Sequence, residues 1–115
     1  MSKAKRKQRD NAKLNRHDFL VCTYDSMQNR VAGHKDIRYL GLEIISRVSF
    51  YEWAQNRVDF NMLFLLWKEG GHKLKLKPTV DRIDSSRGYM IENMRWLTFS
   101  ENSRLGGMYI RNKVR

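Results

Sequence analysis

PTVDRIDSSRGYMIENMRWLTFSENSRLGG, residues 78–107, gathers the chemically able polar side chains of the chain into one short stretch. Thr79 to Ile83 has the β-branched content of a strand, Asp84 to Glu92 is a polar loop containing Gly88, and Arg95 to Thr98 reads as a second strand. Thr98-x-x-Glu101 is a capping pattern in which each side chain can satisfy a backbone donor of the other, so a helix is predicted to start near Phe99. The order strand, loop, strand, helix can bring Asp81 on the first strand towards Asn102 on the first helical turn. Two oxygen ligands on one side, with open positions for water and phosphate, suit a hard ion such as Mg²⁺, which takes one or two carboxylates and keeps several waters.

Upstream of this stretch, Lys73, Lys75 and Lys77 alternate with Leu74 and Leu76, which predicts an exposed basic edge able to meet phosphate or simply solvent. Before it, Asp59 is a plausible N-cap for a helix over Phe60 to Glu69 that Gly70 and Gly71 stop. Ser49-x-x-Glu52 predicts a helix from Phe50 to about Asn56, and Tyr39 to Ile45 reads as a short strand. From about His17 to Ala32, Leu20, Tyr24, Met27 and Val31 recur at helical spacing and mark a buried face, with Gly33 as the stop. The aromatics Phe50, Trp53, Phe60, Phe64 and Trp67 are large apolar bodies at helical spacing, which is the signature of core rather than of base stacking.

The 115 residues suffice for one small α+β domain over residues 17–115, preceded by a basic arm over 1–16 that is expected to be disordered. Net charge is +11, and the arm supplies +6 of it through Lys3, Lys5, Arg6, Lys7, Arg9, Lys13 and Arg16 against Asp10 alone. Such an excess favours a polyanionic partner, with nucleic acid ahead of an anionic membrane surface, because neutralised phosphates release counterions. No apolar run reaches the ~20 residues of a membrane span and no signal-peptide core follows the basic start, so a cytoplasmic protein is expected. Cys22 is the only cysteine, which excludes an internal disulfide and a cysteine-based zinc cage; as a small hydrophobe it is expected to be buried.

Val80-Asp81-Arg82-Ile83-Asp84, Gly88-Tyr89, Glu92-Asn93, Arg95-Trp96 with Thr98, and Ser100-Glu101-Asn102 together resemble the HNH, or ββα-metal (His-Me finger), endonucleases of phage type. Ser49-Phe50, Trp53 and Leu66-Trp67-Lys68 are also similar to sequences grouped with them, so the resemblance spans roughly Leu20 to Gly107. It implies a ββα-metal motif at about 78–107 and a divalent-metal-dependent DNA endonuclease or nicking enzyme. Asp81 and Asn102 would then hold one Mg²⁺ or Mn²⁺, and Asn93 would brace the loop. Asp84 is expected to bond the loop backbone, Trp96 to be core, and Tyr89 to pack beneath the loop. The cysteine pairs of zinc-stabilised relatives are missing, so no structural zinc is expected.

One departure stands out. Arg82 occupies the place of the histidine base, and a guanidinium with a pKa above about 12 cannot accept a proton near neutrality. Arg82 is suited instead to hold the scissile phosphate; His72, just upstream of the first strand, is a candidate replacement base, and metal-bound hydroxide without a protein base is the other route. The same departure favours a catalytically inactive HNH-fold protein that binds nucleic acid, DNA or RNA, as the alternative. Under either reading the phosphate-contacting residues are Lys3, Lys5, Arg6, Lys7 and Arg9 of the arm, Lys73, Lys75 and Lys77, and Arg104, Arg111 and Lys113 near the end.

Overall fold

A computed structural model describes residues 14–34 and 36–114, with side chains to residue 106. Helix α1 spans Arg16–Val31, α2 Arg47–Gln55 and α3 Val58–Glu69; strands β1 (Pro78–Arg82) and β2 (Met94–Thr98) follow, and α4 runs over Phe99–Val114. Among the described residues the sheet is the single antiparallel pair β1–β2, so the domain is α+β. No described helix is long and apolar enough to cross a membrane.

Helix α1 forms where its spacing predicts. Leu20, Tyr24 and Met27 are buried, Val31 packs at the edge of the core, and Gly33 closes the helix at φ 81°. The helix starts one residue inside the expected arm, because the Asn15 side chain accepts from the Asp18 amide and caps it. Cys22 corrects an expectation: it is exposed. Leu20 lies two residues before it and Tyr24 two after, so at 100° per residue Cys22 points away from the face they bury.

Phe19 of α1 meets the rings of Phe60, Phe64 and Trp67 of α3 at 5.2–6.0 Å, and the Phe60 ring meets Trp96 of β2 at 4.5 Å. Trp96 is buried and also stacks with Trp53 of α2. The aromatic stripe is therefore core, and it seats the hairpin against the helices through the inner faces of Val80, Met94 and Trp96.

Three upstream boundaries differ from the sequence expectation. Tyr39 to Ile45 is not a strand; a 3-10 turn covers Ile37–Tyr39, Gly41 takes φ 80°, and only Ile44 makes a bridge, parallel to Tyr89. A left-handed glycine in mid-segment breaks the extension a strand needs. Helix α2 opens at Arg47 because Ser46, three residues before Ser49, accepts the Ser49 amide at 3.2 Å. Helix α3 opens at Val58, and Asp59 in its first turn accepts the Phe60 amide and pairs with Arg57. The alternating lysine segment folds as a 3-10 turn over Leu74–Leu76, because extending β1 upstream of Pro78 would need partners beyond Thr98, where α4 begins; Lys73, Lys75 and Lys77 are exposed as expected.

Gly88 fastens the loop between the strands to this irregular segment. A Cβ there would lie 2.0 Å from the Glu43 carbonyl oxygen, at the point where the Tyr89 amide donates to Glu43 and the Ile45 amide to Tyr89. Backbone atoms cannot yield as a flexible side chain would. Gly88→Ala is expected to destabilise by roughly 3 kcal/mol, the upper end of ordinary overpacking, read as a lowered urea midpoint.

Candidate metal and phosphate site

Asn93 organises the loop. It is 2% exposed and the only buried polar side chain among the described residues. Its Nδ2 donates to the carbonyls of Asp84 (3.0 Å) and Gly88 (2.8 Å), and its Oδ1 accepts the Asp84 amide at 2.8 Å. The Ile83 amide donates to its backbone carbonyl. Both loop ends are thus tied to one residue, as the bracing role requires. Asp84 turns its carboxylate onto the Ser86 amide (2.9 Å) and hydroxyl (2.6 Å), and these bonds hold its pKa below the usual carboxylate range. Tyr89 is buried beneath the loop.

The register places Asp81 opposite Arg95, on the face of the hairpin away from Val80 and Trp96. Arg95 Nε donates to Asp81 Oδ2 at 2.8 Å, while Asp81 Oδ1 accepts from no described residue. Arg82, next along β1, leaves by the other face. Its Nη1 donates to the carbonyls of Ser85 (2.7 Å) and Arg87 (2.8 Å), and its guanidinium lies 4.3 Å from the centre of the Tyr39 ring.

Thr98 and Glu101 exchange the bonds of a capping box: the Glu101 amide donates to Thr98 Oγ1 at 3.1 Å, and the Thr98 amide to Glu101 Oε1 at 3.3 Å. This start sets Asn102 over β1, where its Nδ2 donates to Thr79 Oγ1 at 3.0 Å. The Thr79 hydroxyl donates its one proton to the Leu97 carbonyl at 2.9 Å, so it can only accept from Asn102. That relay fixes the amide orientation and leaves Asn102 Oδ1 without a donor among the described residues.

Asp81, Arg82, Arg95 and Asn102 line one cleft of about 1190 Å³, walled on the far side by Cys22, Thr23, Ser26 and Arg30 of α1. Lys77 also lines it. The two free oxygens, Asp81 Oδ1 and Asn102 Oδ1, are hard neutral or anionic donors that suit Mg²⁺ or Mn²⁺ completed by water and phosphate. Among the described residues no set of three His, Cys, Asp or Glu side chains converges.

His72 does not join them. It lies three residues past the end of α3 in a left-handed conformation (φ 61°), with its amide on the Trp67 carbonyl and its ring edge-on to Trp67 at 4.7 Å, and it does not line the cleft. Lys73 and Lys75 are exposed outside the cleft, and Arg104 is exposed on α4. Lys3, Lys5, Arg6, Lys7 and Arg9 lie outside the described residues, as do the side chains of Arg111 and Lys113. Sequence reasoning gave no role to Thr79 or Arg95, while Arg30, near the end of α1, was read as able to meet either backbone phosphate or solvent. For Thr79 and Arg95 the missing signal was the strand register, which sets one beside Leu97 and the other across from Asp81.

No protein-family model, curated protein or solved structure matches the chain.

Proposed function

We propose that this chain is a divalent-metal-dependent DNA endonuclease or nicking enzyme of the HNH type, with a ββα-metal motif built from β1, β2 and α4. The observation that carries the reading is the pair of uncommitted oxygens, Asp81 Oδ1 and Asn102 Oδ1, at one cleft whose loop is tied by Asn93. Asp81 and Asn102 would hold one Mg²⁺ or Mn²⁺. When bound, the ion supplies Lewis-acid stabilisation of the leaving oxygen and lowers the pKa of water. Lys77 and Arg30 offer cations along the cleft walls to the phosphate backbone. Arg82 cannot take a proton and no histidine lines the cleft, so on this reading water would have to be activated by the ion without a histidine base. The basic arm adds salt-dependent, sequence-independent grip.

Thr79 follows as a positioning residue. Thr79→Val removes the hydroxyl that orients Asn102 and is expected to weaken Mn²⁺ binding by roughly 10–100-fold, the usual cost of losing an outer-shell partner. Thr79→Ser keeps the hydroxyl and restores the affinity; an equal loss in both variants would refute the relay.

The engagement of Arg82 with loop carbonyls supports a second reading, a catalytically inactive protein of the same scaffold that binds DNA or RNA. Relaxation of supercoiled plasmid with Mg²⁺ or Mn²⁺, by the natural chain and by Asp81→Ala, separates the two. Nicking that requires the metal and Asp81 supports the nuclease; its absence, or its survival in Asp81→Ala, overturns it.

A further inference from the structure

The place of the histidine base in the motif makes Arg82 the obvious arginine for the scissile phosphate, yet its surroundings point elsewhere. Its Nη1 is occupied by the Ser85 and Arg87 carbonyls, and its planar face is laid over Tyr39. Moving it to a phosphate would strip two acceptors of their donor and unpin the loop that Asn93 holds. Arg95 is the opposite case. Only its Nε is engaged, at 2.8 Å from Asp81 Oδ2; Nη1 and Nη2 have no acceptor among the described residues, and its side chain is 44% exposed at the cleft.

We infer that Arg95 is the phosphate-binding arginine of this site, and that it competes with the divalent ion for Asp81. The inference rests on the reading of Asp81 as an ion ligand. A guanidinium is a planar fork, and the two free Nη groups beside Asp81 can take two oxygens of one phosphodiester while Nε keeps its carboxylate. Without an ion, Arg95 neutralises Asp81, which is only 16% exposed and would otherwise be a largely desolvated carboxylate. A dication arriving at Oδ1 of the same carboxylate meets the charge of Arg95 at short range and loses affinity to it. An incoming phosphate offers Arg95 a second anion and relieves that repulsion, so substrate and metal are expected to bind cooperatively.

A bland cross-strand ion pair would behave differently, because it would contribute stability alone and little of it. The test uses the full chain with Mn²⁺ as probe, its free concentration followed by electron paramagnetic resonance without DNA, alongside Mg²⁺-dependent plasmid cleavage. For Arg95→Gln the expected result is opposite in the two readouts. Mn²⁺ binds roughly ten-fold more tightly, since a like charge has left the site, and cleavage falls on the order of 100-fold, the loss typical of one preorganised donor. Arg95→Lys keeps the charge but not the fork, so Mn²⁺ affinity stays near the natural value while cleavage remains low. Mn²⁺ bound no more tightly by Arg95→Gln, or cleavage at the natural rate in either variant, overturns the assignment. Failure of the underlying reading looks different: Mn²⁺ binding that is absent from the natural chain, or unchanged in Asp81→Ala, removes the ion site and this proposal with it.

Discussion

Asp81→Ala is expected to abolish metal-dependent nicking while leaving the fold and DNA retention in place. The substitution removes the only carboxylate among the two proposed ligands, and an ion held by Asn102 alone has one neutral oxygen of the protein. Lewis-acid stabilisation of the leaving group is worth several kcal/mol, so a loss of about 4 kcal/mol, or roughly 10³-fold in rate, is the expected scale. Stability should move little. The Asp81–Arg95 pair is solvent-accessible at the arginine end, and exposed pairs contribute about 1 kcal/mol or less. Removing a negative charge from a +11 chain will not weaken its hold on DNA at low salt. Plasmid relaxation, a thermal melt and filter binding measured together check the pattern; equal loss in all three would make Asp81 a folding residue instead.

The second large effect is on stability. Asn93→Ala deletes three side-chain hydrogen bonds and leaves the Asp84 and Gly88 carbonyls and the Asp84 amide without that partner. At about 1 kcal/mol per bond, with more for groups left buried, the loss should be roughly 3–4 kcal/mol. For a domain of this size that lowers Tm by on the order of 10–20 °C. Asn93→Asp gives a sharper test. Its carboxylate still accepts the Asp84 amide but cannot donate to two carbonyls, and it adds a charge at a site 2% exposed. Asn93→Asp should be destabilised by a similar or larger amount than Asn93→Ala. A melt within 2 °C of the natural chain would show that the loop is held by other contacts.

These effects also mark how far the sequence could be read. The last third was legible because its signals are local: β-branched runs for the strands, a Thr98–Glu101 box for α4, and an asparagine in the loop. The face of α1 was legible for the same reason, as a period of 3.6 needs no partner to be seen. Tyr39 to Ile45 was misread because its alternation is real but finds only one bridging residue, and Gly41 turns the chain between. Ser49-x-x-Glu52 was the fuller capping pattern on paper, yet the Ser46 hydroxyl takes the Ser49 amide and starts the helix three residues earlier. The site was half legible. Asp81 and Asn102 could be named from their motif, but Arg95 and Thr79 depend on a strand register in which a slip of one residue would send both to the other face. Arg82 shows the converse, since its position in the motif is plain and its direction, towards Tyr39 and the loop carbonyls, is a property of the folded loop.

The most direct measurement is an anomalous difference map from crystals of the full chain soaked in Mn²⁺, alone and with a short DNA duplex. The expected result is one peak at about 2.2 Å from both Asp81 Oδ1 and Asn102 Oδ1, near the spacing of hard divalent ions to oxygen, with the duplex bringing a phosphate to the same peak. A peak on other residues, or none at Asp81 in crystals of a chain that nicks plasmid, would contradict the site.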